Sequence, residues 1–378
     1  MSLVLFLTPA LAQDAVAPEL SLSYRPRLEA HTGKDGVSGA GNVLAFSHRA
    51  RLGVTLERPE LALHLQIQDV RTWGEEAHTL KDYTADGLDV HQAWVRWSPA
   101  DVLTLKAGRQ EVSLHEQRLV GAVGWTQQAR SFDGALLSGG GEAWDLDLGA
   151  FLLHEGDLVE EPGDAALALA RAGWKSDTAR VDALAMLEHD GRTDFDRVTV
   201  GAYAKGAHGP WTGRIEAYGQ AGSSGDAAIR AAMVGVEGTW SPELAAEPRL
   251  TLWADWLSAD TDPDDTVQRA FAAPYATNHK FYGFADITAF SQGAWADGAG
   301  LVDLALRGSV SAPDGTRLFL DAHTFVTPGA GMLAEEIDLY AKRGLGEGLS
   351  LWAGGALWLP AREGTPDLWG VVQLQAAL

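Results

Sequence analysis

Residues 19–31 read ELSLSYRPRLEAH, with Leu20, Leu22, Tyr24 and Leu28 on one parity and Ser21, Ser23, Arg25, Arg27 and Glu29 on the other. Successive side chains of a β-strand point to opposite faces, so this run is a strand with one apolar face and one polar, cationic face. The pattern recurs along the chain. In SHRARLGVTLE (47–57) Arg49, Arg51, Gly53 and Thr55 alternate with Ala50, Leu52, Val54 and Leu56. DRVTVGAYAKG (196–206) and GLVDLALRGSV (300–310) put Val198, Val200 and Ala202, then Val302, Leu304 and Leu306, on the apolar face. Soluble sandwich strands average about five or six residues. Many runs here extend over ten to fourteen, the length of a tilted strand that crosses a bilayer.

Turn signals at Gly, Pro and Asp clusters divide the chain into eighteen such runs. They begin near Glu19, Asn42, Glu60, Gly87, Asp101 and Arg130 and end with runs near Ala334, Gly348 and Leu368. The fold class is therefore all-β, a transmembrane antiparallel β-barrel of eighteen strands, with sixteen as the other even count. Closure leaves no strand edge exposed to lipid. Trp94, Trp97, Trp174, Trp211, Trp240, Trp352, Trp358 and Trp369 fall at or near predicted strand ends, where aromatic girdles sit.

Composition agrees with this class. The 378 residues are 46% hydrophobic and 21% charged, yet no 18-residue apolar segment exists to make a membrane helix. Residues Leu3–Leu7 are apolar, and Ala10-Leu11-Ala12 before Gln13 has the A-x-A form of a signal-peptide cleavage site. Residues 1–12 then read as a signal-peptide remnant and 13–378 as a single barrel domain, exported to the outer membrane of a Gram-negative bacterium. The chain has no cysteine, so export implies a fold that relies on no disulfide. A formal net charge of -22 argues against nucleic acid as a partner. Arginines outnumber lysines by 22 to seven, which suits planar, bidentate recognition of carboxylates and phosphates and also follows from a GC-rich coding sequence.

Tight connections such as SPAD (98–101) and APDG (312–315) read as periplasmic turns; longer loops follow Gly74, Ser113, Glu155, Ser258 and Val326. The longest, Asp260–Gly300, carries Phe271, Tyr275, Phe281, Tyr282 and Phe284. That aromatic content argues for a loop folded over or into the barrel mouth. Its opening DTDPDD resembles the start of a calcium loop through Asp260, Asp262 and Asp264, but Asp265 stands where a Gly is needed and Phe271 where the bidentate Glu would be. A solvated acidic loop is the simpler reading. No nucleophile elbow, zinc-protease, phosphate-loop or dinucleotide motif occurs, so neither an enzyme nor a cofactor is expected. His48, His64 and His91 lie within strands at no ligand spacing.

The polar strand face remains. Arg25, Arg27, Arg49, Arg51, Arg96, Lys106, Arg214, Arg307, Arg317 and Lys342 share it with Glu29, Asp145, Asp147, Glu216, Asp303, Asp321 and Asp338. In a barrel this face lines the lumen. Two readings stay open: arginine–carboxylate pairs that stiffen the wall, or a ladder of guanidiniums along which an anion exchanges partners.

The segment LTLKAGRQEVSLHEQRLVGAVGWTQQARSFDGALL (103–137) resembles the alginate-export family of outer-membrane barrels in its GRQ at 108–110, QRLVG at 117–121 and RSFDGA at 130–135. LDVHQAWVRW (88–97) and YATNHKFYGFAD (275–286) are similar to the family too. The resemblance implies an eighteen-stranded barrel with an arginine-rich constriction that passes an acidic polysaccharide. Arg109, Arg118 and Arg130 would border that constriction, with Gln110 and Asp133 as partners. By parity Arg109 shares a face with Leu103 and Leu105, so it reaches the lumen only through a bulge. The expected function is a passive channel for anionic sugars, polysaccharide or other small anions, embedded in outer-membrane lipid. The alternative is a sealed structural barrel that binds an envelope-complex partner through its outer loops.

Overall fold

A computed structural model describes residues 16–32, 42–74, 87–156, 163–262, 264–286, 298–361 and 364–378. Residues 1–12, read above as a signal-peptide remnant, lie outside the described residues, as do 75–86, 157–162 and 287–297 within the long loops.

The strands are β1 (Glu19–Thr32), β2 (Val43–Glu57), β3 (Leu61–Thr72), β4 (Leu88–Ala100), β5 (Leu103–Gln110), β6 (Phe132–Gly140), β7 (Trp144–His154), β8 (Ala165–Lys175) and β9 (Ala179–Asp190). They continue as β10 (Phe195–His208), β11 (Trp211–Ser224), β12 (Ala227–Trp240), β13 (Arg249–Leu257), β14 (Val267–Gln268), β15 (Leu301–Ser311), β16 (Arg317–Thr327), β17 (Gly331–Gly346), β18 (Leu349–Pro360) and β19 (Asp367–Ala377). All but the two-residue β14, a parallel bridge onto β12, form the wall. Each wall strand pairs antiparallel with its neighbours, and β19 closes on β1 through Ser23↔Ala377 to Thr32↔Leu368. The barrel thus has eighteen strands, and the count of sixteen falls away. Observed strand starts lie within three residues of those read from alternation; the largest departure is β17, which begins at Gly331 instead of Ala334.

Alternation sorts the two faces as expected on most strands. On β15, Leu304 and Leu306 are exposed on the outside, while Asp303 and Ala305 are buried inside. On β8 and β9 the sorting changes: Leu167, Leu169, Leu184 and Met186 face inward and are buried, and alanines such as Ala168 and Ala185 face outward. The reason is an apolar core inside the barrel. The β5–β6 loop (111–131) and the described part of the β13–β15 loop up to residue 286 turn into the lumen and bring Val112, Leu114, Leu119, Val120, Phe271, Phe281 and Tyr282 against Phe132, Phe151, Leu167 and Leu169 on one side and Trp253, Leu257 and Phe325 on the other. The long acidic-to-aromatic loop therefore enters the mouth, as its aromatic content suggested.

The tryptophans split into two sets. Trp97, Trp174, Trp211 and Trp240 are exposed on the outer face near the short-turn end, joined by Trp144. Trp144 lies opposite Trp174, and Trp211 opposite Trp240, which makes one side of a girdle. Trp352, Trp358 and Trp369 are instead buried in the lumen, and Trp94 stacks on lumen-facing His64 at 5.0 Å. Their assignment to the girdle is corrected: position near a strand end does not fix the face, and parity places them inward.

Candidate functional site

The two inward loops are fastened to each other before they are fastened to the wall. Gly121 N–H donates to Tyr275 O at 2.8 Å, and Thr277 N–H donates to Gln117 O at 3.0 Å. The Thr277 hydroxyl donates to Gln117 Oε1 at 2.6 Å. A Cβ at position 121 would lie 2.3 Å from Thr277 Oγ1, so only glycine permits the approach. Arg130 adds a staple, donating to the carbonyls of Ala276 (3.4 Å) and Pro274 (3.2 Å). Arg130 is thus between the loops and occupied by backbone carbonyls.

Arg118, at the tip of the β5–β6 loop, is the anchor to the wall. Its side chain is 2% exposed. It donates from Nε to Glu216 Oε1 (3.1 Å) on β11 and from Nη1 to the Tyr282 hydroxyl (2.7 Å), and it forms an ion pair with Asp255 Oδ2 (2.6 Å) on β13. The guanidinium carbon sits 3.6 Å from the centre of the Phe281 ring, a cation–π geometry. Burial works against its charge, but Asp255, Tyr282 and Glu216 outweigh that and hold it protonated well above its ordinary range. Nearby Glu116 is also buried in part. The Lys280 and Lys205 ammonium groups, 2.9 and 3.0 Å away, overcome the burial penalty and hold its carboxyl down at about 2.

The β1–β2 sector carries the arginine ladder. Arg25, Arg27 and Arg49 are buried and face inward with Arg51. Backbone carbonyls of the β5–β6 loop meet part of it: Arg25 donates to Gly124 O and Thr126 O (both 2.6 Å) and Arg27 to Trp125 O (2.5 Å). The Trp125 ring lies between the Arg27 guanidinium at 4.0 Å and the His279 ring at 4.0 Å. Carboxylates are few in this sector: Glu29 is 3.7 Å from Arg27 and Glu111 is 3.3 Å from Arg51. Arg49 Nε and Nη1 and Arg51 Nη2 are buried with no hydrogen-bond partner among the described residues.

Elsewhere most arginines are paired with carboxylates. Arg171 meets Asp145, Asp147 and Asp182; Arg180 meets Asp145 and Asp182; Arg197 grips Glu188 with two 2.7 Å bonds. Arg214 pairs with Glu216 and Glu237, Arg307 with Asp321 (3.0 Å), Arg317 with Glu247 (3.3 Å) and Arg96 with Glu57. Carboxylate-paired and carboxylate-poor stretches of the polar face therefore lie in different sectors of one wall. Lys106 faces inward over the Trp94 ring at 4.4 Å.

Arg109 does not enter the lumen. The β5–β6 register runs unbroken from Leu103↔Gly139 to Gln110↔Phe132, so no bulge reverses its parity. Its half-exposed side chain faces outward toward Asp133, 3.8 Å away and also exposed. The placing of Arg109 and Asp133 at the constriction is corrected accordingly. Gln110 does point inward and is fully buried, but its amide donates to the carbonyls of Lys106, Gly108 and Gly134 and holds the strand end. Asp260, Asp262 and Asp264 form no ligand group among the described residues; Arg269 neutralises this loop through Asp265 (2.7 Å) and Asp260 (3.6 Å).

Below the loops a cavity of about 680 Å³ is lined by Lys280, Arg307, Lys342, Trp125, Phe284, Tyr340 and Trp352, with Gln117, Gln373 and Gln375. No described carboxylate lines it. Lys342 is held by cation–π contacts with Phe319 (5.4 Å) and Tyr340 (5.7 Å). Lys280, Arg307 and Tyr340 also line an adjoining cavity of about 520 Å³, which adds Lys205, Arg249 and Arg317 toward the short-turn end. Parity alone placed Lys342 and Arg307 in the lumen. Lys280 and Trp125 come from loops, where no periodicity marks an inward residue.

The family model described as "Alginate export" matches residues 21–151 and 163–292. The chain belongs to the alginate export family. Membership places this barrel in outer-membrane lipid, with a transport role and no catalytic one. Among solved structures, OccAB4 of Acinetobacter baumannii is similar over 97% of this chain and 99% of its own, at 9% identity and a TM-score of 0.66. OccK11 (OpdR) of Pseudomonas aeruginosa is similar over 96% of both chains, at 14% identity and a TM-score of 0.65. OpdK of Pseudomonas aeruginosa, solved with vanillate, is similar over 95% of this chain and 98% of its own, at 10% identity and a TM-score of 0.62. At such identities the likeness concerns the fold. No curated protein matches the chain.

Proposed function

We propose that this alginate-export barrel, residues 13–378 after removal of an export signal, is a passive anion-selective channel for small organic anions such as uronate sugars. The observation that carries this is the vestibule of Lys280, Arg307 and Lys342 with four aromatic rings and no described carboxylate. A carboxylate entering it meets ammonium and guanidinium donors, and the hydrophobic face of a sugar or arene meets Trp125, Phe284, Tyr340 and Trp352. Vanillate, named with the similar OpdK structure, is an aromatic carboxylate and has the same two features. The adjoining cavity adds Lys205, Arg249 and Arg317 beside the carboxylates Glu116, Glu237 and Asp321, so an anion moving on exchanges partners with them. An acidic polysaccharide offers the same chemistry once per sugar. No nucleotide motif exists to drive transport, so flux follows the gradient.

The test is the reversal potential of single channels in a planar bilayer under a salt gradient. Wild type passes anions in preference to cations, and the Lys280→Gln/Lys342→Gln double variant loses most of that preference at low ionic strength, where screening is weak. Unchanged anion-to-cation permeability would sink the proposal. Complete absence of steady current from folded protein would favour the sealed, partner-binding barrel instead.

A further inference from the structure

The β15–β17 sector of the wall buries a cluster that plays no part in the vestibule's chemistry. Asp321 and Asp338 lie directly opposite each other on β16 and β17, and both are almost fully buried. His323 is two residues along the same inward face and opposite Glu336; both are buried as well. Like charges directly opposed across strands destabilise a sheet, and a buried carboxylate needs a counter-charge. The cations on hand among the described residues are Arg307, which donates to a single oxygen of Asp321, and Lys342 four residues from Asp338 on the same inward face. Asp303, Asp321, Glu336 and Asp338 therefore exceed them in charge.

Three further observations point to a ligand. His323 Nδ1 is held by both oxygens of Asp303, at 2.9 and 3.1 Å. A carboxylate on one ring nitrogen is how a metal-binding imidazole is commonly oriented. His323 Nε2 is left buried with no hydrogen-bond partner, and the Glu336 and Asp338 carboxyls face each other with no described donor on Glu336 Oε2 or Asp338 Oδ1. One ligand atom from each of Asp321, His323 and Asp338 lies within 4.8 Å of the others. Ligand atoms around a tetrahedral ion with bonds of about 2.1 Å lie about 3.4 Å apart, so side-chain shifts of about an ångström close the set.

We propose that Asp321, His323 and Asp338 bind a first-row divalent cation such as Zn²⁺ or Mn²⁺, with Asp303 orienting the imidazole and Glu336 beside the ion. The nitrogen-plus-carboxylate donor set suits these ions better than Ca²⁺. Asp321 also lines the 520 Å³ cavity, which gives the ion an entry path from the lumen. The site has a mechanical consequence. Glu336 Oε1 accepts the Ala285 N–H at 2.8 Å, so an ion seated beside Glu336 braces the β13–β15 loop from behind.

The experiment uses untagged full-length barrel, folded in detergent and stripped with EDTA, titrated with Zn²⁺, Mn²⁺ and Ca²⁺ by calorimetry. One site per barrel is expected for Zn²⁺ or Mn²⁺. His323→Ala and the near-isosteric Asp338→Asn weaken it at least tenfold, whereas Asp262→Asn/Asp264→Asn leaves it unchanged. Folding of each variant is checked by heat-modifiable migration on gels. Added ion should also slow amide exchange at Ala285, and Co²⁺ should give visible bands that disappear in His323→Ala. Absence of one-to-one binding, or binding that survives both substitutions, overturns the site and leaves the cluster neutralised by shared protons.

Discussion

Replacing Arg118 by methionine removes the anchor of the β5–β6 loop while keeping most of the side chain's volume. Its effect can be worked out from the partners. Glu216 still has Arg214 after the change, but Asp255 loses its cation and lies buried opposite Asp303. Breaking a buried pair by removing one partner costs about 3–5 kcal/mol. At about 1.4 kcal/mol per factor of ten, the loop's undocked population rises by roughly a hundredfold to several thousandfold. The loop is under tension as well: His115, Gln117, Val123 and Ala129 all hold positive φ, between 48° and 69°. Such conformations persist only where surrounding contacts enforce them, so release should be cooperative across 112–129. Amide exchange of Val112 to Gly121 reads the docked population directly. In Arg118→Met those amides should exchange faster by the same factor, and single-channel current should become noisier and larger. Adding Asp255→Asn removes the stranded charge and should restore at least half of the lost protection. Protection that is unaltered in Arg118→Met, or unaffected by the second substitution, would refute the anchor.

Two further outcomes follow from the loops. Gly121→Val pushes a branched side chain against Thr277 Oγ1 and Gln117; docking of the two loops should weaken by about 1–3 kcal/mol, seen as joint loss of exchange protection at Gly121 and Thr277 while the barrel itself still folds. Glu116 has a folded pKa of about 2 against an ordinary 4.5. A depressed carboxylate stabilises above its unfolded pKa and loses that contribution as pH falls through the folded one. Its support for the loop, at most about 3 kcal/mol, is therefore intact from neutral pH to about 4.5 and fades between 4.5 and 2. Conductance measured against pH should differ between wild type and Glu116→Gln above pH 4.5 and converge below it; parallel curves throughout would contradict this.

The wall was legible in the chain because a closed sheet repeats one rule at every strand. Parity alone set the inward face of Arg25, Arg49 and Arg307, and parity was also right to oppose a lumenal Arg109. It misled where a strand end was taken as evidence of face, as for Trp352 and Trp369. It was also incomplete on β8 and β9, where inward leucines serve a core built by distant loops. Those loops obey no period. Arg118 reads in sequence as one more arginine beside Gln117, and its burial depends on Glu216, Asp255 and Tyr282, which are 98, 137 and 164 positions away. Asp321, His323 and Asp338 were visible as inward positions or strand histidines, but their convergence requires the β16–β17 register.

A net charge of -22 is compatible with a lumen that attracts anions, because the charges are segregated by sector. On β7–β9, Asp145, Asp147 and Asp182 enclose Arg171 and Arg180 and leave no guanidinium to spare. On β1–β2, Arg27 has Glu29 and Arg51 has Glu111, loop carbonyls accept from Arg25 and Arg27, and Arg49 Nε and Nη1 have no described acceptor. A carbonyl satisfies hydrogen bonds without cancelling charge, so the ladder keeps its positive potential while its side chains are held in place. The inward loops thus do two things together. They narrow the mouth, and they pre-organise the cationic wall without neutralising it. In the proposed channel a solute anion would then compete with neutral carbonyls instead of fixed carboxylates, which allows binding weak enough for release and passage.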